Sequence, residues 1–262
     1  MAAPMLVTGG TGNLGRRVVA LLEAEGRDVR ILSRHPGTDR PGVRHVAGDT
    51  VTGRGLDAAM TGAEVVLHLA GGPRGDDAAG RSVARSAGAA GVRHLVLISV
   101  VGADRMPIGY FRAKAAAEGA VAAGGTPFTI LRAAQFHDFV HPVARALGRF
   151  PLVPAPRGLR FEPVDASEVA VRLVELALGD PAGRVPDLAG PDVLGFADLV
   201  AALRARLGRR TVHVPVPLAG RIGSAYRLGW NLAPAQATRG AITWSQYLDI
   251  RNAASERSVP LP

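Results

Sequence analysis

Apolar residues along this 262-residue chain follow two alternating patterns. Short, nearly continuous apolar runs occur in "MLVT" (5–8), "DVRILSR" (28–34), "VRHVAGD" (43–49), "AEVVLHLAGG" (63–72), "RHLVLISVVGAD" (93–104) and "PFTILRAAQF" (127–136). Strands buried on both faces of a parallel sheet have this character. Between the runs, apolar positions fall three and four apart. After the first run they are Leu14, Val18, Leu21 and Leu22, with Gly26 placed as a C-cap, which is the spacing of one helix face. Further helices are predicted through "GRGLDAAM" (53–60), "AAGRSVARSAGAAG" (78–91) and "GYFRAKAAAEGA" (109–120). Six strand–helix units in this order predict an α/β fold with a doubly wound parallel sheet, whose ligand groups gather at the carboxyl ends of the strands.

From about residue 140 the pattern changes and proline becomes frequent, as in "RFPLVPAPRG". In "FEPVDASEVA", Asp165 reads as an N-cap with Glu168 three residues on, ahead of the apolar helix "VAVRLVELAL". The stretch 183–208 predicts a short strand, a Gly-Pro turn and an amphipathic helix. Segments 212–229 and 238–250 complete a small C-terminal α/β cap. The expected organisation is a nucleotide-binding core over 1–150 and a substrate-binding cap over 151–262, packed as one compact unit. No internal repeat is visible.

Composition narrows the function classes. Hydrophobic residues make up 47% and charged residues 20%, ordinary for a folded protein and contrary to disorder. There is no cysteine, which removes disulfides and thiolate metal sites and fits a reducing cytoplasm. No run of about 18 apolar residues suggests a membrane span, and the N-terminus lacks the pattern of a signal peptide, so a cytoplasmic protein is expected. The net charge of +9 raises a nucleic-acid role, but the arginines are scattered and their densest cluster is only "RARLGRR" (204–210). An anionic cofactor is the milder source of that charge.

The first turn supplies such a site. Gly9, Gly12 and Gly15, with Gly10 overlapping, stand between a strand and a helix. There a backbone without side chains approaches a pyrophosphate, and unpaired helix N–H groups receive it. About twenty residues on, where an NAD-preferring fold carries a carboxylate for the ribose 2′-hydroxyl, this chain has Ser33-Arg34. A hydroxyl and a guanidinium suit a 2′-phosphate, so NADP(H) is expected over NAD.

Lys114 is the sole lysine of an arginine-rich chain, and it follows Tyr110 by four residues, one helical turn. A phenol titrates near 10 in isolation, and a nearby ammonium lowers that value towards a usable acid or base. Ser99 stands at a strand end eleven residues upstream of Tyr110. His137 and His141 are four apart in "QFHDFVHP", but no Glu base or third ligand accompanies them, and no metal is expected. Gln135, Phe136 and His137, which follow the last core strand, are candidate substrate-binding residues. Phe136, Phe139, Trp230, Trp244 and Tyr247 read equally as pocket walls or as core.

Together, "VTGGTGNLG", "LSRHP", "GD" (48–49), "HLAGG", "LISVVGAD", "GYFRAKAAAE" and "ILRAAQFHDF" resemble the NAD(P)H-binding, NmrA-like branch of the atypical short-chain dehydrogenase/reductase superfamily. The resemblance implies a Rossmann sheet with Gly9, Thr11, Gly12, Asn13 and Leu14 on the pyrophosphate and Ser33 and Arg34 on the 2′-phosphate. It puts Asp49 on the adenine, Ala70 and Gly71 beside the ribose, and Lys114 on the nicotinamide ribose. Ser99, Tyr110 and Lys114 would form the catalytic triad. Where relatives usually carry a proline after the sixth strand, this chain has Ala133-Ala134-Gln135. The expected function is NADPH-dependent reduction of a small carbonyl, enone, imine or quinone by a monomer or homodimer. The alternatives are a redox-sensing NADP(H)-binding regulator without turnover, and a nucleotide-sugar epimerase or dehydratase.

Overall fold

The computed structural model describes residues 3–257. Its first half alternates strands and helices in the predicted order: β1 (Met5–Thr8), α1 (Asn13–Ala24), β2 (Val29–Ser33), β3 (Val43–Ala47), α2 (Leu56–Met60), β4 (Val65–His68) and α3 (Asp76–Ala89). β5 (His94–Val100), α4 (Gly109–Ala123) and β6 (Phe128–Ala133) follow. Next come α5 (His137–Leu147), β7 (Leu152–Pro156), β8 (Arg160–Phe161), α6 (Ala166–Leu178) and β9 (Gly183–Arg184). The chain closes with β10 (Leu188–Ala189), β11 (Leu194–Gly195), α7 (Phe196–Arg206), β12 (Val212–Val216), α8 (Gly220–Arg227), β13 (Thr238–Arg239) and α9 (Trp244–Arg257).

These elements form two units. The first takes the chain up to Asp104, then 108–132 and 166–186; the second takes 105–107, 133–165 and the chain from Asp187 on. The chain therefore passes between units more than once, and α6 belongs to the first, where it packs on α1.

The sheet of the first unit runs β3-β2-β1-β4-β5-β6, with β9 beside β6. The pairings β1–β2, β1–β4, β2–β3 and β4–β5 are parallel. This is the doubly wound Rossmann order, and it reverses between β1 and β4, where such sheets bind ligands. β5 is buried along its whole length, as its apolar run requires. Leu6, Leu56, Met60, Val66 and Leu95 are fully excluded from solvent in the core cluster of this unit, each such side chain contributing about 1.5–3 kcal/mol of burial. α4 is tied to β6 by buried Arg132, which donates to both carboxylate oxygens of Glu118 at 2.7 and 2.6 Å.

In the second unit, α5, α7 and α9 contribute Val140, Ala144, Leu199, Val200, Trp244, Tyr247 and Leu248 to a separate core. β7 and β12 pair in parallel, and β8 and β11 antiparallel.

At the carboxyl edge of the first unit's sheet, the Thr8 hydroxyl and His68 Nδ1 share a 2.7 Å hydrogen bond. Burial first, and the Lys114 ammonium second, lower the His68 pKa to about 3. A histidine held neutral in the fold but free to protonate when unfolded contributes stability that is complete above pH 6.5 and is lost as pH falls from there towards 3. His68 alone is expected to remove about 1.4 kcal/mol between about pH 7.5 and about pH 5.5. Urea unfolding at the two pH values measures this loss. His68→Gln should show a smaller pH difference than the wild type, and an equal one would refute the assignment.

Candidate functional site

The β1–α1 turn is built by contacts that tolerate only glycine. Gly9 has φ +74°, and a Cβ there would stand 2.6 Å from the Ala70 backbone nitrogen. A Cβ on Gly15 would meet the Gly9 carbonyl oxygen at 2.1 Å, so α1 starts hard against the turn. The turn is closed by the Gly12 N–H donating to the Gly9 carbonyl at 3.0 Å. Gly12 is the N-cap of α1, with no side chain to occupy the helix end and no acidic residue in the first turn. The end of the helix is left open to an anion.

The turn forms one wall of a cleft of about 720 Å³ over the carboxyl ends of β1, β2, β3 and β4. Gly9, Thr11, Gly12, Ser33, Arg34, Asp49, Ala70 and Gly71, all expected from the sequence, line this one cleft. Ser33 Oγ donates to the His35 carbonyl at 3.0 Å and accepts the His35 N–H, fixing the turn that carries exposed Arg34. Asp49 Oδ1 accepts the Val51 N–H at 2.9 Å. Leu14 is buried beneath the turn, and the Asn13 side chain and carbonyl accept from Arg17. The cleft therefore combines an open helix end, side-chain-free backbone and a cation at its far side, a donor set that fits the phosphates of a dinucleotide.

Tyr110 and Lys114 lie in the first turns of α4. Lys114 is buried, its Nζ 3.0 Å from Asp76 Oδ2 at the start of α3. A Cβ on Gly71 would come within 3.0 Å of the same Nζ, so the ammonium sits at the cleft's Gly71 edge. Asp76 itself lines the cleft. The sequence expectation was that Lys114 would lower the Tyr110 pKa. The structure has it pushed up to about 12, by partial burial first, with 37% of the residue still exposed, and by the Asp76 carboxylate second. The ammonium has an anionic partner of its own, and that partner adds negative charge beside the phenol. Ser99, near the end of β5, is buried, and its hydroxyl is without a hydrogen-bond partner among the described residues.

The remaining candidates lie in the second unit. The Gln135 carbonyl accepts the Val164 N–H at 3.0 Å, Phe136 bridges Val164, and both residues are half-buried. His137 is wholly buried, 3.7 Å from Asp165 through Nδ1, with its ring 4.8 Å from Tyr247 and 5.7 Å from Trp244. Trp244 and Tyr247 are core, whereas Phe139 is exposed. Among the described residues, no group of three or more His, Cys, Asp or Glu could hold a metal ion. No helix there is long and apolar enough to cross a membrane.

Sequence reasoning missed Thr8, His35, His68, Arg74 and Asp76. Arg74, His35 and Asp76 line the cleft. For Asp76 a signal existed in "GGPRGDDAAG", where a glycine precedes paired acids at a helix start, the place where the helix dipole favours a carboxylate.

A family model described as NAD(P)H-binding matches residues 9–149. The (4-alkanoyl-5-oxo-2,5-dihydrofuran-3-yl)methyl phosphate reductase of Streptomyces griseus is 33% identical over 214 residues, covering 78% of this chain and 74% of that protein. The NAD(P)H azoreductase of Xenophilus azovorans is 30% identical over 226 residues, covering 82% and 77%. Among solved structures, an NADPH-dependent quinone oxidoreductase from Escherichia coli, complexed with NADPH, matches with a TM-score of 0.81 at 18% identity. The match covers 95% of this chain and 99% of that one. That last likeness is one of fold.

Proposed function

This chain belongs to the NAD(P)H-binding family of atypical short-chain dehydrogenases/reductases, and from that premise we propose that it is an NADPH-dependent reductase of a small carbonyl, enone, imine or quinone. The observation that carries this reading is that the glycine-walled cleft ends at the Lys114 ammonium, one helical turn from Tyr110. The two relatives that cover most of the chain are both reductases.

In this reading Gly9, Thr11, Gly12, Asn13 and Leu14 hold the pyrophosphate, Ser33 and Arg34 the 2′-phosphate, Asp49 the adenine, and Ala70 and Gly71 the ribose beside them. Lys114 holds the hydroxyls of the nicotinamide ribose. When bound, the nicotinamide supplies a hydride. The Tyr110 phenol donates a proton to the substrate oxygen or nitrogen on which charge develops. The Ser99 hydroxyl, a buried donor whose lack of a partner is otherwise a cost, holds that same atom.

Titration with NADPH and NADH, followed by nicotinamide fluorescence, tests the cofactor assignment. Arg34→Ala removes a charge-assisted contact worth about 1.5–3 kcal/mol, so it is expected to weaken NADPH binding by roughly 10- to 100-fold and to leave NADH nearly unchanged. Equal loss for both nucleotides would remove Arg34 from the 2′-phosphate. Failure of the wild type to bind either would sink the reductase reading.

A further inference from the structure

The β7–β12 ribbon of the second unit reverses the usual pattern of a half-buried sheet, which turns apolar residues inward and polar ones to water. Val153 belongs to the core of that unit and is fully excluded from solvent. Side chains one position away take the opposite face, and there the register sets Leu152 beside Val212 and Pro154 beside Val214. Leu152 and Val212 are more than half exposed, and Pro154 and Val214 are also open to solvent. Phe150, in the turn before β7, is 60% exposed. Strand addition is not what this surface offers. The Val212 N–H is directed to the Pro151 carbonyl, so Pro215, three residues on, falls at the open edge of β12 and supplies it no donor.

The same surface is basic. Buried Arg204 on α7 donates from Nη1 to the Gly148 and Phe150 carbonyls at 2.7 and 2.9 Å, and from Nε to the Arg210 carbonyl at 3.1 Å. These bonds fasten the turn after α5 to the turn after α7, which sets Arg149 and Phe150 close to Arg209 and Arg210. The three arginines at these turns are exposed, and no carboxylate pairs with them among the described residues. The sequence supplies none nearby: no aspartate or glutamate occurs in 139–161 or in 199–248. The second unit carries 14 arginines against 8 acidic residues, a net of +6 out of the chain's +9, so the positive field is concentrated in the unit that bears the apolar ribbon.

We propose that this face is a docking surface for an anionic lipid membrane: Phe150, Leu152, Val212 and Val214 enter the interface, and Arg149, Arg209 and Arg210 meet the lipid phosphates. Exposed apolar side chains gain from leaving water for the acyl boundary, and arginines beside them gain from the negative surface. Stable attachment takes both contributions, and here one ribbon and the turns that lead into it present both. A second copy of the chain is disfavoured, because a two-fold interface sets a patch against itself and would bring the unpaired arginines together. A nucleic acid would satisfy the arginines, but the aliphatic side chains of the ribbon offer bases no stacking surface.

The test is co-sedimentation of the whole protein with vesicles of phosphatidylcholine alone and of an equimolar mixture of phosphatidylcholine and phosphatidylglycerol. Binding is expected to the mixed vesicles only. It should weaken when salt is raised from about 0.1 M to about 1 M, where the screening length falls from about 10 Å to about 3 Å. An arginine near an anionic surface contributes roughly a fivefold factor in partition, so Arg209→Gln with Arg210→Gln should lower it by about 25-fold. Leu152→Gln with Val212→Thr leaves the charge unchanged and should lower it by roughly tenfold. All four positions are exposed, so both variants should keep the wild-type urea midpoint, and if one pair did not, the other pair would decide. Absence of binding to the mixed vesicles overturns the proposal, as does undiminished binding in a folded variant. Capture of poly(U) or duplex DNA without binding to vesicles would assign the arginines to a nucleic acid instead. A wild-type dimer in sedimentation equilibrium that Leu152→Gln with Val212→Thr dissociates would assign the face to a second copy. Either result overturns the lipid surface.

Discussion

Tyr110→Phe is expected to lower turnover of a reducible substrate by about 10²- to 10⁴-fold, the contribution of a positioned general acid. The substitution deletes only the phenol oxygen. The ring remains in its edge-on contact with Phe111, at 5.4 Å between centroids, so α4 should keep its place and NADPH binding should be unchanged. With its pKa near 12, the wild-type phenol stays protonated across the working range, and the reducing rate should show no alkaline limb from this group below that value. Nicotinamide absorbance decay on a panel of carbonyls, imines and quinones measures the loss. Unchanged turnover in the variant would mean that the proton comes from elsewhere, as from water to a quinone. A wild type that binds NADPH but reduces nothing would favour the regulator reading.

Gly15→Ala is the second large effect. The added methyl would stand 2.1 Å from the Gly9 carbonyl oxygen and 2.7 Å from Gly10 Cα. Both are backbone atoms of the turn and cannot swing aside as a side chain can, so α1 must withdraw from β1. Overpacking of this kind costs about 1–3 kcal/mol, which lowers Tm by roughly 2–12 °C for a chain of this size. Withdrawal also moves the α1 N–H groups away from any bound phosphate, so NADPH affinity should fall together with Tm. Calorimetry with and without NADPH separates the two losses. A variant with wild-type Tm and wild-type affinity would show that helix and turn are not in this contact.

The distinction between an acid set by its neighbours and a cradle set by its backbone marks how far the sequence could be read. The glycine turn and the Tyr110–Lys114 pair are local: their partners lie within a turn or two of chain, and helix or turn geometry alone fixes their relation. Ser33-Arg34 and Asp49 were legible for a related reason, since each stands at a strand end and strand ends of a doubly wound sheet converge. The charge partner of Lys114 was not legible. Asp76 is 38 positions away, and nothing in the local pattern distinguishes it from Asp77, which instead pairs with Arg81 at the surface. The sign of the effect on Tyr110 was missed for the same reason, because it depends on which charges share its surroundings.

By itself, then, the sequence determined the order of strands and helices, the parallel doubly wound sheet and the glycine-built turn between β1 and α1. Hydrophobic period and glycine placement act on the backbone within a few residues. Only the tertiary structure decided that 166–186 joins the first unit through α6 against α1, that Trp244 and Tyr247 are core, and that Asp76 and not the phenol holds the lysine. Each of these depends on helix faces brought together across long stretches of chain. There, close packing and the cost of an unpaired buried charge select one partner among several that the sequence leaves equivalent.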